Sequence, residues 1–386
     1  MIGVGVVGGG IVGLACARAL LLLRPGLDLV VWERELSLAL HQSGRSSSVL
    51  HSGLYYAPGS LRADMCVRGA DMARQFVKEE NRNVPAMLEA GKLIIATREE
   101  ELPRLEQLMH RGMQNKVRDL VLMDKEDLRK RGLESGIAAI WSPHTGIIDW
   151  QAFCLEIAKD IVRLGGKIEC AADPEAYKKT NRFVLNCAGL QADKVAIELG
   201  GKQEPRLIPI RGNFVRLDPP DKFLPLSVGM IYPVPDPNFP FLGVHLTRKL
   251  DGSVYAGPGA SLSLARNHYE TLNVKDLINV ASWPGFWRLT FKNLGFCTDQ
   301  LIASVSTSAF VKQTKRFVPD ANFSHVTGKK FGIRALAVNR DGSIVEDFVF
   351  EMHGSRAMSV RNAPSPAATS CLAIGERVAS IVNEYL

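Results

Sequence analysis

The chain has 386 residues, of which 46% are hydrophobic and 23% charged, and its formal net charge is +7 at pH 7. This composition is typical of a globular protein with one large or two interleaved domains and a sizeable core. The basic charge comes without a long Lys/Arg run or a basic patch interleaved with aromatic residues, so nucleic acid is not favoured as a partner. The seven cysteines and eight histidines form no metal-ligand spacing, and we expect no metal and reduced, buried thiols.

The N-terminal region has the pattern of a strand, a glycine-rich turn, a helix and a second strand. The apolar run 2–7 predicts a buried parallel strand, residues 11–23 predict a helix, and residues 29–32 predict the second strand. The stretch 3–23 is apolar enough to suggest a membrane span, but its six glycines favour a turn. The order of these elements predicts the first unit of a dinucleotide-binding fold.

Each glycine of the turn has a distinct task in such a unit. Gly8 permits the tight turn, Gly10 lets a pyrophosphate approach the backbone, and Gly13 lets the helix pack closely on the strand. Glu33 follows the second strand, where its carboxylate can accept hydrogen bonds from a ribose diol. The amides at the start of the helix would face the phosphates.

The middle of the chain alternates between helical and strand-like patterns. We expect a strand at 183–186, and the trimmed segment 167–187 leaves open a shortened hairpin or residues absent from the sequence. Apolar spacing further predicts a strand at 91–97, loop and strand at 138–150, and helices at 61–82, 99–116, 125–131 and 151–164.

The predicted secondary structure changes twice in the last part of the chain. Short strands between Pro- and Gly-rich turns over 206–350 predict an antiparallel sheet, interrupted by helical stretches at 274–293 and 299–316. A strand at 358–360, a small-residue turn at 362–370 and a final helix to Leu386 return to the α/β pattern.

Further polar and glycine-rich segments suit a long cofactor. The loop 41–56 is rich in small polar residues and would approach a second part of the cofactor. The amides of the turn before the final helix could face an electron-rich ring edge. The candidate cofactor-binding residues in these segments are Ser43, Ser47, Gly53, Gly189, Asn362, Ala363, Pro364 and Ser365.

Several of these motifs together resemble those of the L-2-hydroxyglutarate dehydrogenases and oxidases, which are FAD flavoproteins of the D-amino-acid-oxidase-like group. The resemblance spans essentially the whole chain, and its most specific segments are YPVPDPNFPFLGVHLT and RNAPSPAATS. It also runs through GGGIVG, PHTGIIDW, VLNCAGLQAD, PIRGNFVRL and GIRALAVNRDGSIVEDF. It implies FAD as cofactor and the oxidation of L-2-hydroxyglutarate to 2-oxoglutarate.

The resemblance also implies an architecture of class α/β plus α+β. A Rossmann-like FAD-binding domain would contain residues 1–80, 140–205 and 325–386. An interleaved substrate domain with an antiparallel sheet would contain residues 81–139 and 206–324.

The sequence departs from the family pattern in the loop after Glu33. Where the family usually has HQTGHNSG, this chain has HQSGRSSS, so Arg45, Ser46 and Ser48 replace His, Asn and Gly. Arg45 adds a cation that could hold a carboxylate or lower activity. The segment GVRAQ becomes Gly332-Ile333-Arg334-Ala335-Leu336.

A dicarboxylate 2-hydroxy acid needs cations for its carboxylates and an acceptor for its hydroxyl proton. Arginine offers the planar bidentate donor, and the resemblance points to Arg334 for the carboxylate beside the reacting carbon. Candidates for the second carboxylate are, in order, Arg211, Tyr232 and Arg45. Histidine suits the proton acceptor, and we place His245 before His51.

Other functions remain open at this stage. A flavin oxidase of the same fold could act on an amino acid or on glycerol 3-phosphate, and the changes at 45–48 could leave a catalytically impaired FAD-binding protein. An NAD-dependent dehydrogenase fits the first unit but not the later segments. The electron acceptor could be oxygen, a quinone or an electron-transfer flavoprotein. The resemblance implies a mitochondrial, membrane-associated setting in a eukaryote. In a bacterium we expect the cytoplasmic face of the inner membrane, through peripheral contact.

Overall fold

The structure is a computed structural model that describes most of the chain, in several long stretches and some shorter pieces. The described residues are 3–79, 82–84, 87–225, 227–236, 243–267, 269, 271–295, 306, 311–312, 314–317, 319 and 323–386. Twelve of the 18 residues of the helical stretch expected at 299–316 lie outside them.

The described strands follow the predicted order closely. They are β1 (Val4–Val7), β2 (Leu29–Trp32), β3 (Val49–Leu50), β4 (Lys92–Ala96), β5 (Val121–Asp124), β6 (Ala138–Ser142), β7 (Gly146–Ile147), β8 (Lys167–Glu169), β9 (Phe183–Asn186), β10 (Arg206–Leu217), β11 (Met230–Pro233), β12 (His245–Arg248), β13 (Val254–Gly257), β14 (Ser261–Leu262), β15 (Val326–Val338), β16 (Val349–His353) and β17 (Ala357–Asn362).

The helices also begin and end close to the predicted residues, except for two short helices at 192–198 and 220–223 that the sequence patterns did not predict. They are α1 (Ile11–Leu23), α2 (Leu61–Lys78), α3 (Leu102–Gln114), α4 (Lys125–Lys130), α5 (Trp150–Arg163), α6 (Ala192–Glu198), α7 (Pro220–Phe223), α8 (Val274–Ala281), α9 (Pro284–Lys292) and α10 (Ala367–Asn383). The stretch 274–293 is divided because Pro284 starts a second helix. No helix of the described part is long and apolar enough to cross a membrane.

A six-stranded sheet in the order β16-β17-β9-β1-β2-β8 forms the first half of the molecule. All of its neighbours pair in parallel except β16 and β17. The strand β1 lies between β2 and β9, so both of its edges are paired, and Val4 and Val6 are fully buried. The short connection from β8 to β9 contains a 3₁₀ turn at Ala176–Lys179.

Helices α1, α2, α5 and α10 bury their apolar sides in one core beside this sheet. The packing of α1 on α10 depends on small residues, since a Cβ added to Gly375 would lie 2.6 Å from the carbonyl oxygen of Ala15. Cys16, Cys154, Cys187 and Cys371 are free thiols in or beside this core, whereas Cys170 is exposed. This core fixes the position of α1 and α10 relative to the ends of the strands.

A nine-stranded sheet in the order β14-β10-β13-β12-β11-β4-β6-β5 forms the second half, with β15 paired to β10. Its pairs are antiparallel except for β4 and β11, which run in parallel. The predicted antiparallel sheet therefore includes strands from both expected substrate segments. It also includes β15, which we had assigned to the FAD-binding segment 325–386.

Candidate active site

A cavity of about 1140 Å³ connects the two sheets. At one end it is lined by the glycine turn after β1 and by the loop that follows β2. At the other end it is lined by the N-terminus of α10 and by three side chains of the larger sheet, Tyr232, His245 and Arg334. Parallel strands place their carboxyl ends at such crevices, which is where ligands bind in α/β sheets.

The turn after β1 has the geometry that the glycines predicted. Gly8 has a φ of 111° and lies against Cys187, whose carbonyl oxygen would be 2.5 Å from an added Cβ. An added Cβ at Gly10 would meet only the Ser43 hydroxyl oxygen, at 3.3 Å, and Gly10 lines the cavity. The turn is therefore crowded at Gly8 and open toward the cavity at Gly10.

Gly13 contributes through packing and does not line the cavity. A Cβ at this position would lie 2.1 Å from the carbonyl oxygen of Gly8. Only glycine therefore allows α1 to approach the turn this closely, as the pattern predicted.

Glu33 lies in the cavity wall with its carboxylate fixed by backbone donors. The amide of Gly9 donates to Glu33 Oε2 at 2.8 Å, and the amide of Glu35 donates to Glu33 Oε1 at 2.9 Å. Ser43 performs a similar task for the helix, since its hydroxyl oxygen accepts a bond from the amide of Ile11 at 3.0 Å. Both side chains fix the turn against the loop and remain in the cavity lining.

Two helix N-termini face this cavity, and apart from the bond from the Ile11 amide to Ser43 neither has a side-chain cap in the described structure. Neither α1 nor α10 has an acidic residue in its first turn, and neither Gly10 nor Pro366 provides a capping side chain. Their unpaired amides and dipoles favour negative charge or an electron-rich edge. A dinucleotide that carries a flavin fits this donor set, with its pyrophosphate at α1 and its ring edge at α10.

Most of the other expected cofactor residues also line the cavity. They are Ser47, Gly189, Asn362, Ala363, Pro364 and Ser365. The Asn362 side-chain nitrogen donates to the carbonyl oxygens of Val345 and Asp347, both at 2.9 Å. Its Oδ1 atom is buried without a partner in the described structure, and so it is available to a ligand.

Gly53 does not lie where we expected it. With a φ of 98° it packs against α2, where an added Cβ would be 2.7 Å from a methyl carbon of Val67. Its carbonyl oxygen accepts a bond from Asn115 at 3.0 Å. Gly53 thus shapes the loop from outside the cavity, and we withdraw its assignment to the cofactor.

Arg334 projects into the cavity from β15. Within the described residues its guanidinium makes no hydrogen bond or ion pair, and burial lowers its pKa. Arg334 pairs in register with Ile210, one residue before Arg211. A guanidinium that faces the cavity and has no partner among the described residues is a ready site for a carboxylate.

Arg211, in contrast, is held outside the cavity. Its Nε donates to Asn213 Oδ1 at 2.9 Å, and another of its nitrogens donates to the carbonyl oxygen of Tyr269 at 3.2 Å. Its guanidinium lies 3.8 Å from the ring centroid of Phe331. Adjacent residues of a strand point to opposite faces, which separates it from the cavity. We therefore withdraw Arg211 as a substrate-binding candidate.

The loop residues that depart from the family pattern are held by the protein itself. The guanidinium of Arg45 stacks 3.7 Å from the ring centroid of Tyr269, and its Nε donates to the Leu40 carbonyl oxygen at 3.2 Å. Arg45 lines the cavity, but these contacts orient it within the loop. Ser48 has a φ of 67°, a backbone conformation that explains the glycine usual in the family at this position.

His245 is oriented by its own strand and by Tyr232. Its Nδ1 lies 3.1 Å from the Gly243 carbonyl oxygen, so Nδ1 carries the proton and Nε2 is left as an acceptor. The rings of His245 and Tyr232 stack with centroids 3.8 Å apart. Burial, together with the charge of Arg334, lowers the pKa of His245 to about 3, so the imidazole is neutral at physiological pH.

His51 lies across the same end of the cavity. Its backbone amide donates to Thr369 Oγ1 at 3.0 Å, which ties the loop to α10. Its Nδ1 is buried and has no partner in the described structure. Burial and the charges of Lys92 and His245 lower its pKa well below the usual value.

Sequence reasoning missed Lys92, which is fully buried beside the cavity. Its ammonium lies 4.6 Å from the ring centroid of Tyr55 and 5.3 Å from that of Tyr232. The available signal was a lysine at the start of an otherwise apolar strand, GKLIIAT. No cluster of three or more potential metal ligands occurs in the described part of the chain.

Comparison with known proteins agrees with this arrangement. The family model described as DAO, FAD dependent oxidoreductase, matches residues 4–381. A Nematostella vectensis protein named "L-2-hydroxyglutarate dehydrogenase, mitochondrial" is 41% identical, with 99% of this chain and 90% of the relative covered. The Homo sapiens protein of that name is 38% identical, covering 98% and 88%, and an Indibacter alkaliphilus L-2-hydroxyglutarate dehydrogenase is 37% identical, covering 97% and 96%.

Solved structures share the fold at much lower identity. An FAD-bound L-alpha-glycerophosphate oxidase from Mycoplasma pneumoniae superimposes with a TM-score of 0.72 at 20% identity, covering 99% of this chain and 94% of the other. Glycine oxidase from Geobacillus kaustophilus gives a TM-score of 0.69 at 14% identity, covering 99% and 95%. These likenesses confirm the expected Rossmann-like fold with a second, sheet-based half.

Proposed function

The chain belongs to the family of FAD dependent oxidoreductases, its cofactor is FAD, and on this premise we propose that it oxidises L-2-hydroxyglutarate to 2-oxoglutarate. The observation that carries the proposal is that one cavity contains both the dinucleotide turn and an unpartnered arginine beside a neutral histidine. The cofactor and a carboxylate substrate can therefore meet in the same enclosure. When bound, FAD supplies the acceptor for the hydride from C2 of the substrate.

Arg334 is the residue that orients the substrate. Its guanidinium can hold the carboxylate next to C2 through two parallel hydrogen bonds, and this fixes the C2–H bond relative to the cofactor. Because the protein largely encloses the cavity, the ion pair between Arg334 and the carboxylate forms away from bulk water, where the electrostatic attraction is stronger.

His245 accepts the hydroxyl proton in this proposal. Its Nε2 is free to accept, because Nδ1 donates to Gly243 and the ring is clamped by Tyr232. A low pKa in the free protein keeps it neutral, and the negative charges of a bound dicarboxylate raise that pKa toward the value a proton acceptor needs. His51 remains the alternative acceptor from the opposite wall.

Anaerobic mixing of the purified holoenzyme with each enantiomer of 2-hydroxyglutarate tests this function. We expect the L enantiomer to bleach the flavin absorbance and to release 2-oxoglutarate, and the D enantiomer to do neither. Bleaching by an amino acid or by glycerol 3-phosphate, without a response to L-2-hydroxyglutarate, would assign the protein to a different substrate. Retained flavin that no substrate reduces would indicate a catalytically impaired protein.

The electron acceptor and the membrane contact belong to the same proposal. We favour a quinone or an electron-transfer flavoprotein as acceptor and a mitochondrial location if the source is a eukaryote, as the names of the eukaryotic relatives suggest. Steady-state rates in air, with a soluble quinone analogue and with an electron-transfer flavoprotein would separate these acceptors. A rate in air equal to the rate with either added acceptor would argue for an oxidase.

The helices α8 and α9 support peripheral contact with an anionic membrane. They expose Ile278 and Phe291 to 62% and 68%, and Trp287 to 45%. Lys275, Arg288 and Lys292 are exposed on the same two helices. Aromatic and apolar side chains beside basic ones suit a bilayer interface with anionic lipids. Phe291→Ser should weaken co-sedimentation with phosphatidylserine vesicles, and unchanged binding would exclude this surface.

A further inference from the structure

Lys92 is a buried basic residue that has no role in the function proposed above. It begins β4, and its neighbours Leu93, Ile94 and Ile95 are fully buried like itself. Its Nζ atom has no hydrogen-bond partner in the described structure. The nearest polarisable groups are the ring faces of Tyr55 and Tyr232, both of which line the cavity.

The other cations near the substrate end have protein partners. Arg62 donates twice to the Ser365 carbonyl oxygen, at 3.1 and 2.8 Å, and Arg111 donates to the Tyr55 carbonyl oxygen at 3.0 Å. Arg45 is stacked on a tyrosine, as described above. Among the described basic side chains at this end, Arg334 and Lys92 are left without a hydrogen-bond acceptor.

We propose that Lys92 is the specificity-determining residue for the second carboxylate of the substrate, acting through the tyrosine wall that separates its ammonium from the cavity. The inference rests on the proposed dicarboxylate substrate. Arg334 holds the carboxylate beside C2, and the positive charge behind Tyr55 and Tyr232 favours a ligand that carries a second negative charge. A monocarboxylate of the same length gains nothing from that charge, which makes Lys92 a source of discrimination.

The surroundings of Lys92 contain no competing carboxylate among the described groups. The titratable and charged groups that face it come from α2, from the loop after β3 and from strands of the larger sheet. They are Cys66, His51, Tyr55, Tyr232 and His245. Burial lowers the pKa of Lys92 to about 7 in the free protein. A bound dianion favours the charged amine, so binding above this pH draws in a proton.

Substrate discrimination gives the first test. The ratio of kcat/KM for L-2-hydroxyglutarate to that for L-2-hydroxyvalerate, which lacks the second carboxylate, would be measured for the wild type, Lys92→Met and Lys330→Met. We expect Lys92→Met to lower the ratio roughly 10- to 100-fold through a higher KM for the dicarboxylate. Lys330 lies 5.2 Å from the Tyr255 ring on the protein exterior, so its variant should keep the wild-type ratio. An unchanged ratio in Lys92→Met with FAD retained would overturn the proposal.

Calorimetry of glutarate binding gives a second test that needs no turnover. Titrations in two buffers of different ionisation enthalpy should show proton uptake by the wild type at pH 8, and less at pH 6, where Lys92 is already charged. Lys92→Arg should restore the preference for the dicarboxylate and abolish the uptake at pH 8. Glutarate that binds the wild type no more tightly than valerate, which lacks the second carboxylate, refutes the role of Lys92 even if Lys92→Met does not fold. Glutarate that does not bind, together with inactivity on L-2-hydroxyglutarate, would instead refute the proposed function.

Discussion

Arg334 and Arg211 show how the environment of a side chain decides its role. Both are arginines beside glycines in long, paired strands, yet one faces the cavity and the other is held by Asn213, Tyr269 and Phe331. The difference follows from strand alternation and from which protein groups are within reach. The unpartnered guanidinium is the one available to a substrate.

Substitution of these two arginines separates the roles. Arg334→Met should lower kcat/KM at least ~100-fold, because two charged hydrogen bonds are each worth about 1.5–3 kcal/mol. Arg334→Lys should recover only part of the loss, since the point charge lacks the bidentate geometry. Arg211→Met serves as the matched control and should change kcat/KM by much less. Comparable losses at both positions would argue against a specific role for Arg334.

Substitution of the histidines identifies the proton acceptor. His245→Asn should depress kcat ~100-fold or more, within the range for general base catalysis, while FAD content stays near the wild-type value. His51→Asn should have the smaller effect, because its Nδ1 has no partner that fixes a tautomer in the described structure. Stopped-flow flavin reduction measures both, and normal reduction in His245→Asn would move the role to His51.

Among the secondary-structure elements, the first strand, the turn and the helix α1 pack so closely that residue 13 has no room for a Cβ atom. The carbonyl of Gly8 occupies the place where a Cβ of residue 13 would lie. The turn and α1 are therefore in direct contact, and the cofactor site depends on this close approach. The N-terminus of α10 is brought to the same cavity from the other end of the chain.

Gly13→Ala should therefore lose most of its bound FAD. The added methyl group meets backbone at 2.1 Å, which only a shift of α1 can relieve. Gly26→Ala is the control, since its φ of 82° strains the chain but no atom of the described residues lies within 4 Å of the added atom. The ratio of flavin to protein absorbance after purification measures both variants. Full occupancy in Gly13→Ala would show that the turn adjusts more easily than the structure indicates.

In the molecule as a whole, two sheets of different construction enclose one chamber, and basic side chains of the larger sheet lie in or behind its wall. The larger sheet contributes Lys92, His245 and Arg334, and burial lowers the pKa of each of them. The burial of these basic groups therefore costs the protein some stability, and it produces a chamber suited to an anion.

This cost should appear as a pH dependence of stability. Lys92 has a pKa of about 7 when folded and 10.5 as a model amine, so the unfolded chain binds more protons between these values. Stability of the wild type relative to Lys92→Met should therefore rise with pH from 7 to 9, by up to about 1.4 kcal/mol per unit. Below pH 7 the difference should be constant. Thermal unfolding of the holoenzymes at a fixed scan rate measures the gap, and a gap independent of pH would show that Lys92 is not buried as a free amine.

The sequence by itself determined the local chemistry of this protein. The glycine turn, Glu33, the central strands and the main helices follow from apolar periodicity and from glycine positions, both of which are properties of neighbouring residues. Family motifs added FAD and the substrate class. Arg334, Tyr232 and His245, which the sequence predicts to bind the substrate or to accept its proton, line the cavity, and these roles stay proposals.

Only the tertiary structure decided which distant side chains share one enclosure. Gly53 and Arg211 are excluded from the cavity by their contacts with Val67 and Phe331, and Lys92 is brought beside it by the pairing of β4 with β11. No local pattern encodes these results, because strand pairing between distant segments determines burial and orientation. The assignment of β15 to the larger sheet has the same cause, since its partner β10 lies far away in the sequence.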